Sequence, residues 1–245
     1  RTTMGEYIGL DVSLKETAIS IRRDGKRVWR GNCPSDPGLL AEVIRRRAPS
    51  VERVVFETGP LSVWFYHSLS AEGLPAICID ARHAKAALDM AANKTDANDA
   101  DGLAHLAEVG FFREVRVKGY DSMLTRTLVA ARNRLVRITT ELSNQIRGLM
   151  KTFGLIVPPS KGGKFEAHVR RLLVGQDALA RIVFPVLQAW RSVRVDAAEL
   201  GRQLIAGARQ SQACRQLMSI PGVGAITASA FTTAIEDPAN FRKSR

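Results

Sequence analysis

The sequence predicts an α/β domain built on a mixed sheet whose first three strands are antiparallel. An α-helical coiled-coil domain and the start of a further helical domain follow it. Three observations predict this. Short apolar runs separated by turn residues alternate with helical periodicity up to residue 112. An apolar seam then recurs at spacings of three and four from Leu124 to Phe153. Finally, "SIPGVGAITASAF" places a Pro-Gly-Val-Gly turn between two helical patterns. The domain limits that follow are 1–112, 113–212 and 213–245.

Each element has its own warrant. "YIGLDVS" is a short, β-branched apolar run, and "ETAISIRR" follows it after a polar turn. "DGK" then leads into "RVWRGNC", and an Asp-Gly between apolar runs is the strongest short hairpin signal. Residues 36–48 read as a helix with Leu39, Leu40, Val43 and Ile44 on one face. "VERVVFET" reads as a buried strand, "GPLSVWFYHSLSAEG" as a loop and helix, "PAICID" as a strand and "TDANDADGLAHLAEV" as a helix. The long helix after Tyr120 sustains its seam for about four heptads, through Leu128, Ala131, Leu135, Ile138, Leu142, Ile146 and Leu149. "VPPSKGGK" breaks it. A second helix over 176–210 carries Val183, Leu187, Trp190, Val193, Leu200 and Leu204, with Pro185 capping or kinking its start. Two such helices can pair within one chain, and the remaining exposed seam favours a dimer.

Composition narrows the function classes. No run of 18 apolar residues exists, so no membrane span is expected. Cys33, Cys78 and Cys214 are scattered and odd in number, which points to a reducing, cytoplasmic setting without a disulfide framework. The net charge of +12 is local: residues 113–221 hold 19 Lys and Arg against 7 Asp and Glu, and the remainder balances 17 against 17. A basic segment beside a neutral one points to a polyanion partner. Arg126, Arg132, Arg134, Arg137, Arg147 and Lys151 are its candidate contacts, most of them off the seam. Gly222 and Gly224 are candidates too, because glycines let backbone N–H groups approach a phosphate. An ordinary helix–helix turn explains the same two glycines.

"KTDANDADGLA" packs three aspartates into six residues of a helix, where they repel one another. Asp96 and Asp99 share a face, whereas Asp101 points elsewhere and is expected to be solvated. Asp11 and Glu57 each end an apolar strand, where a carboxylate is costly without a partner. If those strands are neighbours, the two acids meet at one sheet end, and a helix docked there adds Asp96 and Asp99. Four carboxylates at one point suit Mg²⁺ or Mn²⁺, and two ions about 4 Å apart would serve an in-line displacement at phosphorus. Taken singly, Asp11 also reads as a strand-end turn residue and Asp96 as a helix N-cap.

Three leading strands with these acids resemble the RuvC/RNase H-like nuclease fold. "YIGLDVSLKETAISI", "VVFETGP", "NKTDANDADGLA" and "SIPGVGAITASAFTTAIEDPANFRKSR" resemble, in order, the DEDD transposases of the IS-one-ten type insertion sequences, relatives of the Piv invertase. The resemblance maps the four acids onto Asp11, Glu57, Asp96 and Asp99, as catalytic and metal-binding residues. It implies metal-dependent cleavage and exchange of double-stranded DNA in a bacterial, nucleoid-associated setting. It further implies a structured bridge RNA as guide and a homodimer, or a tetramer on DNA. It places a nucleophilic serine beyond residue 245, so that Ser219, Ser229 and Ser244 are not assigned and the chain reads as truncated. The alternative is a RuvC-like junction-resolving nuclease that uses metal-activated water.

Overall fold

The structure is a computed structural model that describes residues 5–88 and 95–236. The chain divides into two compact units, Arg1–Lys118 and Gly119–Arg245.

In the first unit, β1 (Glu6–Val12), β2 (Glu16–Arg23) and β3 (Lys26–Pro34) form the expected antiparallel meander. The Asp24-Gly25 turn makes the hairpin possible. Both residues take positive φ, 55° and 73°, which is the backbone a tight two-residue turn requires. Next come α1 (Pro37–Arg47), β4 (Val51–Glu57), α2 (Ser62–Ala71) and β5 (Ala76–Ile79). Asp36 caps α1 by accepting the Leu39 N–H at 2.9 Å. β4 and β5 add in parallel, so the sheet order is β3-β2-β1-β4-β5. One face buries Ile8, Leu10, Ile19, Val54 and Phe56 against Leu40 and Ile44 of α1 and Phe65 and Leu69 of α2.

The other face carries α4 (Asp96–Val109), with Val55 and Ile79 packed against Leu103, Leu106 and Ala107. A helix α3 (Ala81–Leu88) precedes it and was not foreseen in the sequence. Residues 113–118 stay with the first unit. Val115 donates its N–H to Cys78 O at 2.8 Å, and Val117 packs on the core.

The second unit is helical. α5 (Tyr120–Lys151) and α7 (Asp177–Gln210) pack antiparallel, since Ile146 and Met150 share a cluster with Leu179 and Val183. At the far end Leu128 shares a groove with Leu204. α6 (Gly163–Leu172), also unforeseen, closes one end with Phe165 and Val169. α8 (Gln212–Met218) and α9 (Ala225–Ile235) close the other around Cys214, Ala208 and Ala228. Pro185 sits inside α7 and does not end it. Of the 32 residues of α5, Ile146 and Met150 alone are fully buried, and both lie near α6. Of the rest of its seam, Leu128, Leu135, Ile138 and Leu142 are half-buried, and Leu124 and Ala131 are exposed. Among the described residues no helix is long and apolar enough to cross a membrane.

Candidate active site

The register of the sheet brings Asp11 and Glu57 together. β1 and β4 run parallel, with Leu10 paired to Phe56, so the next residues of the two strands are Asp11 and Glu57. Both half-buried side chains line one cleft of about 590 Å³, shared with Ser13, Lys15, Thr58 and Gly59. This is the carboxyl end of parallel strands, where the sheet stops and loops diverge.

α4 is oriented by contacts at its other end. Glu108 accepts Arg22 Nε at 2.8 Å and the Gly25 N–H at 2.7 Å. Arg53 donates to Ala107 O at 2.7 Å. The turn at Gly25 lies where β1 begins, because Tyr7 pairs with Arg22. α4 therefore runs opposite to β1, and its first turn, with Asp96 and Asp99, lies toward the C-terminal end of β1, which carries Asp11. Burial pushes the Glu108 carboxyl up, but the Arg22 and Gly25 hydrogen bonds outweigh it and hold the carboxyl below its usual range.

The approach of α4 to the sheet depends on Gly9. A Cβ there would lie 2.2 Å from Ala100 O and 2.3 Å from Ala104 N, both fixed helix backbone. The glycine two residues before Asp11 lets the acidic helix lie on the strand that carries Asp11.

The N-cap of α4 is Thr95, whose hydroxyl accepts the Asn98 N–H at 3.2 Å. Asp96 is thus the first helical residue rather than the cap. Asp96 is exposed and Asp99 half-buried. Neither lines the cleft of Asp11 and Glu57. Among the described residues no group of three or more His, Cys, Asp or Glu stands close enough to hold a metal ion. So the fold brings two of the four acids into one cleft and directs the other two toward the same sheet end.

Asp101 departs from expectation. It is not solvated: its side chain is 19% exposed, it forms an ion pair with Arg27, and Arg30 stands 3.7 Å away. β3 reaches under α4 and supplies both arginines, a contact that helix periodicity alone does not reveal. The thiols are not nucleophile candidates. All three cysteines are buried, and burial pushes Cys78 up to about 11.

In the second unit the predicted basic residues separate into two groups. Arg126, Arg134, Arg137 and Lys151 are exposed, with Arg134 3.9 Å from Glu141. Arg132 and Arg147 are half-buried and line a cleft with Lys161 and Arg194, two cations that sequence reasoning missed. Lys161 lies in the Pro-Gly break and Arg194 on α7. Only the antiparallel pairing of α5 and α7 sets Arg194 opposite Arg132. Gly222, with φ +85°, and Gly224, which precedes α9, are exposed with open space around both.

Two family models match the chain: the IS110 DEDD model, described as a transposase, over residues 8–154, and the transposase IS116/IS110/IS902 family over residues 214–245. The transposase for insertion sequence element IS1111A of Coxiella burnetii is 30% identical over 199 residues, 78% of this chain and 53% of that protein. A Pseudomonas aeruginosa protein named "Probable family 20 transposase" is 28% identical over 158 residues, 62% of this chain and 47% of its own length. The chain spans about half the length of these relatives. Thermus thermophilus RuvC is 12% identical, with a TM-score of 0.35 over 45% of this chain and 99% of that one, a likeness too distant to bear on function. With the first model spanning more than half of its residues, this chain belongs to the DEDD transposase family of IS110-type insertion sequences.

Proposed function

We propose that this chain carries the strand-cleaving site of an insertion-sequence recombinase that acts on double-stranded DNA, and that its first unit is RuvC/RNase H-like. The observation that carries this reading is that Asp11 and Glu57, each one residue beyond the Leu10–Phe56 pair of two parallel strands, line one cleft. The sheet order supports it, with three antiparallel strands followed by two parallel ones.

The donor set fits a divalent cation in chemistry. Asp11 and Glu57 offer hard oxygens in a cleft wide enough for a phosphate, and Asp96 and Asp99 add carboxylates at the same sheet end. These four side chains would hold Mg²⁺ or Mn²⁺, two ions in the full arrangement. When bound, such ions lower the charge repulsion around a phosphodiester and stabilise charge on the attacking and leaving oxygens. The protein's own part is to fix the carboxylates. β1 and β4 hold Asp11 and Glu57 rigidly through the sheet. Gly9 and the Glu108–Arg22 pair dock α4, whose first turn carries Asp96 and Asp99.

The nucleophile in this reading is a serine hydroxyl, and none of Ser219, Ser229 and Ser244 is given that role. Ser219 donates its hydroxyl to Gln216 O at 2.7 Å, Ser229 is buried in α9, and Ser244 lies outside the described residues. The basic second unit supplies phosphate contacts to DNA and to a structured bridge RNA. Its Pro-Gly-Val-Gly turn offers backbone N–H groups at Gly222 and Gly224. The half-covered α5–α7 seam supports a homodimer, or a tetramer on DNA.

The test is cleavage of duplex DNA, in Mg²⁺ or Mn²⁺, by a protein that joins this chain to the serine-bearing segment of its family, with Asp11 intact or changed to Asn. The variant should lose strand cleavage by at least about 100-fold while DNA affinity stays within about twofold. Cleavage by Asp11→Asn at the wild-type rate would overturn the reading. Free 5′-phosphate ends without protein-linked DNA would favour a junction-resolving nuclease that uses water instead of serine.

A further inference from the structure

The second unit contains a cationic cleft of about 550 Å³ between α5, α7 and the loop that leads into α6. Arg132 and Arg147 enter it from α5, Lys161 from the loop and Arg194 from α7, with Thr140 and Ser143 hydroxyls beside them. No carboxylate lines it. Nearby acids have partners of their own: Glu166 accepts Arg170 at 2.8 Å, and Glu199 holds Arg202 at 2.5 Å.

Two of the guanidinium groups are held in place. Arg147 stacks 4.7 Å above the Phe165 ring, and Arg194 lies 5.3 Å from the centre of the Trp190 ring. Both rings are buried and pack on each other at 4.9 Å. Stacking fixes the plane of a guanidinium and leaves its N–H edge to meet acceptors, and Arg147 already donates one N–H to Ser160 O at 3.1 Å. Among the described residues, Nε of Arg132 and Nε of Arg194 are buried without a hydrogen-bond partner. A buried cationic N–H without an acceptor is costly, and a ligand oxygen would remove that cost.

We propose that this cleft seats one phosphodiester group of a nucleic-acid strand, held by Arg132, Arg194, Arg147 and Lys161. The inference rests on the reading of this unit as the nucleic-acid-binding one, and adds a discrete seat to it. Guanidinium groups cover the aromatic faces, so the seat recognises phosphate and leaves the bases unread. This separates it from the exposed Arg134 and Arg137, whose contacts are loose and interchangeable.

The experiment measures binding of the full chain to a mixed-sequence single-stranded RNA and to a duplex DNA by anisotropy, across a salt series. The proteins are wild type, Arg132→Met, Arg194→Met, and Arg134→Gln with Arg137→Gln. Arg132→Met has no aromatic partner to lose, so it guards against a folding defect in Arg194→Met. Each cleft variant should bind at least one of the two strands about tenfold more weakly, with a log–log salt slope shallower by about 0.7–0.9. The paired outer variant should lose less affinity than either cleft variant. A second arm follows the wild-type melting temperature in inorganic phosphate against chloride at equal ionic strength; the rise with phosphate should vanish in Arg132→Met. Wild-type affinity in both cleft variants, with a loss only in the outer pair, would overturn the seat and leave the nucleic-acid reading standing. No binding of either strand by the wild-type chain would overturn both. A phosphate-induced rise without strand binding would mark a site for free oxyanions and overturn the assignment to a phosphodiester.

Discussion

At the residue scale, Asp11 and Glu57 were legible because each ends an apolar strand with a carboxylate, an arrangement that burial alone disfavours. Gly9 was not legible. A glycine in a strand also marks a bulge or a turn, and nothing in "YIGLDV" announces a helix crossing it. The structure gives the reason, a backbone-to-backbone approach that excludes even one methyl group. Gly9→Ala should therefore destabilise the protein by about 2–3 kcal/mol, because α4 must move off the sheet. The urea midpoint reports this directly, and an unchanged midpoint would mean that the helix yields without cost. Asp101 shows the opposite limit. Helical spacing set it apart from Asp96 and Asp99, but the arginines that pair with it come from β3, far away in sequence.

At the element scale, the meander, the Asp-Gly hairpin and the two long helices were readable because each has a strong local period or turn. α3 and α6 were not. α3 has only eight residues, directly after a strand, and α6 follows a Pro-Gly break that reads as loop. α6 matters because it buries the end of the α5–α7 pair and leaves the remaining seam covered on one side only. A second copy laid along that seam would complete a four-helix arrangement. The wild-type chain should give dimers in light scattering, and replacing Leu135 and Ile138, both half-buried, with Lys should yield monomers. An unchanged molar mass would assign the seam wholly to the antiparallel pair within one chain.

At the scale of the whole molecule, charge and topology divide the labour. The first unit is a mixed sheet whose strand order sets Asp11 beside Glu57. The second is a helical frame that concentrates cations. Location of the excess charge was readable from composition. The cleft was not, since it exists only when α5 and α7 pair antiparallel and set Arg194 against Arg132. The central claim is that four carboxylates at one sheet end hold divalent ions. The most direct measurement is a Mn²⁺ titration of the full chain, with free ion followed by electron paramagnetic resonance. The wild-type chain should take up about two ions. Asp11→Asn with Asp99→Asn should abolish that uptake while circular dichroism stays unchanged. Equal uptake by both proteins, or none by the wild type, would contradict the claim.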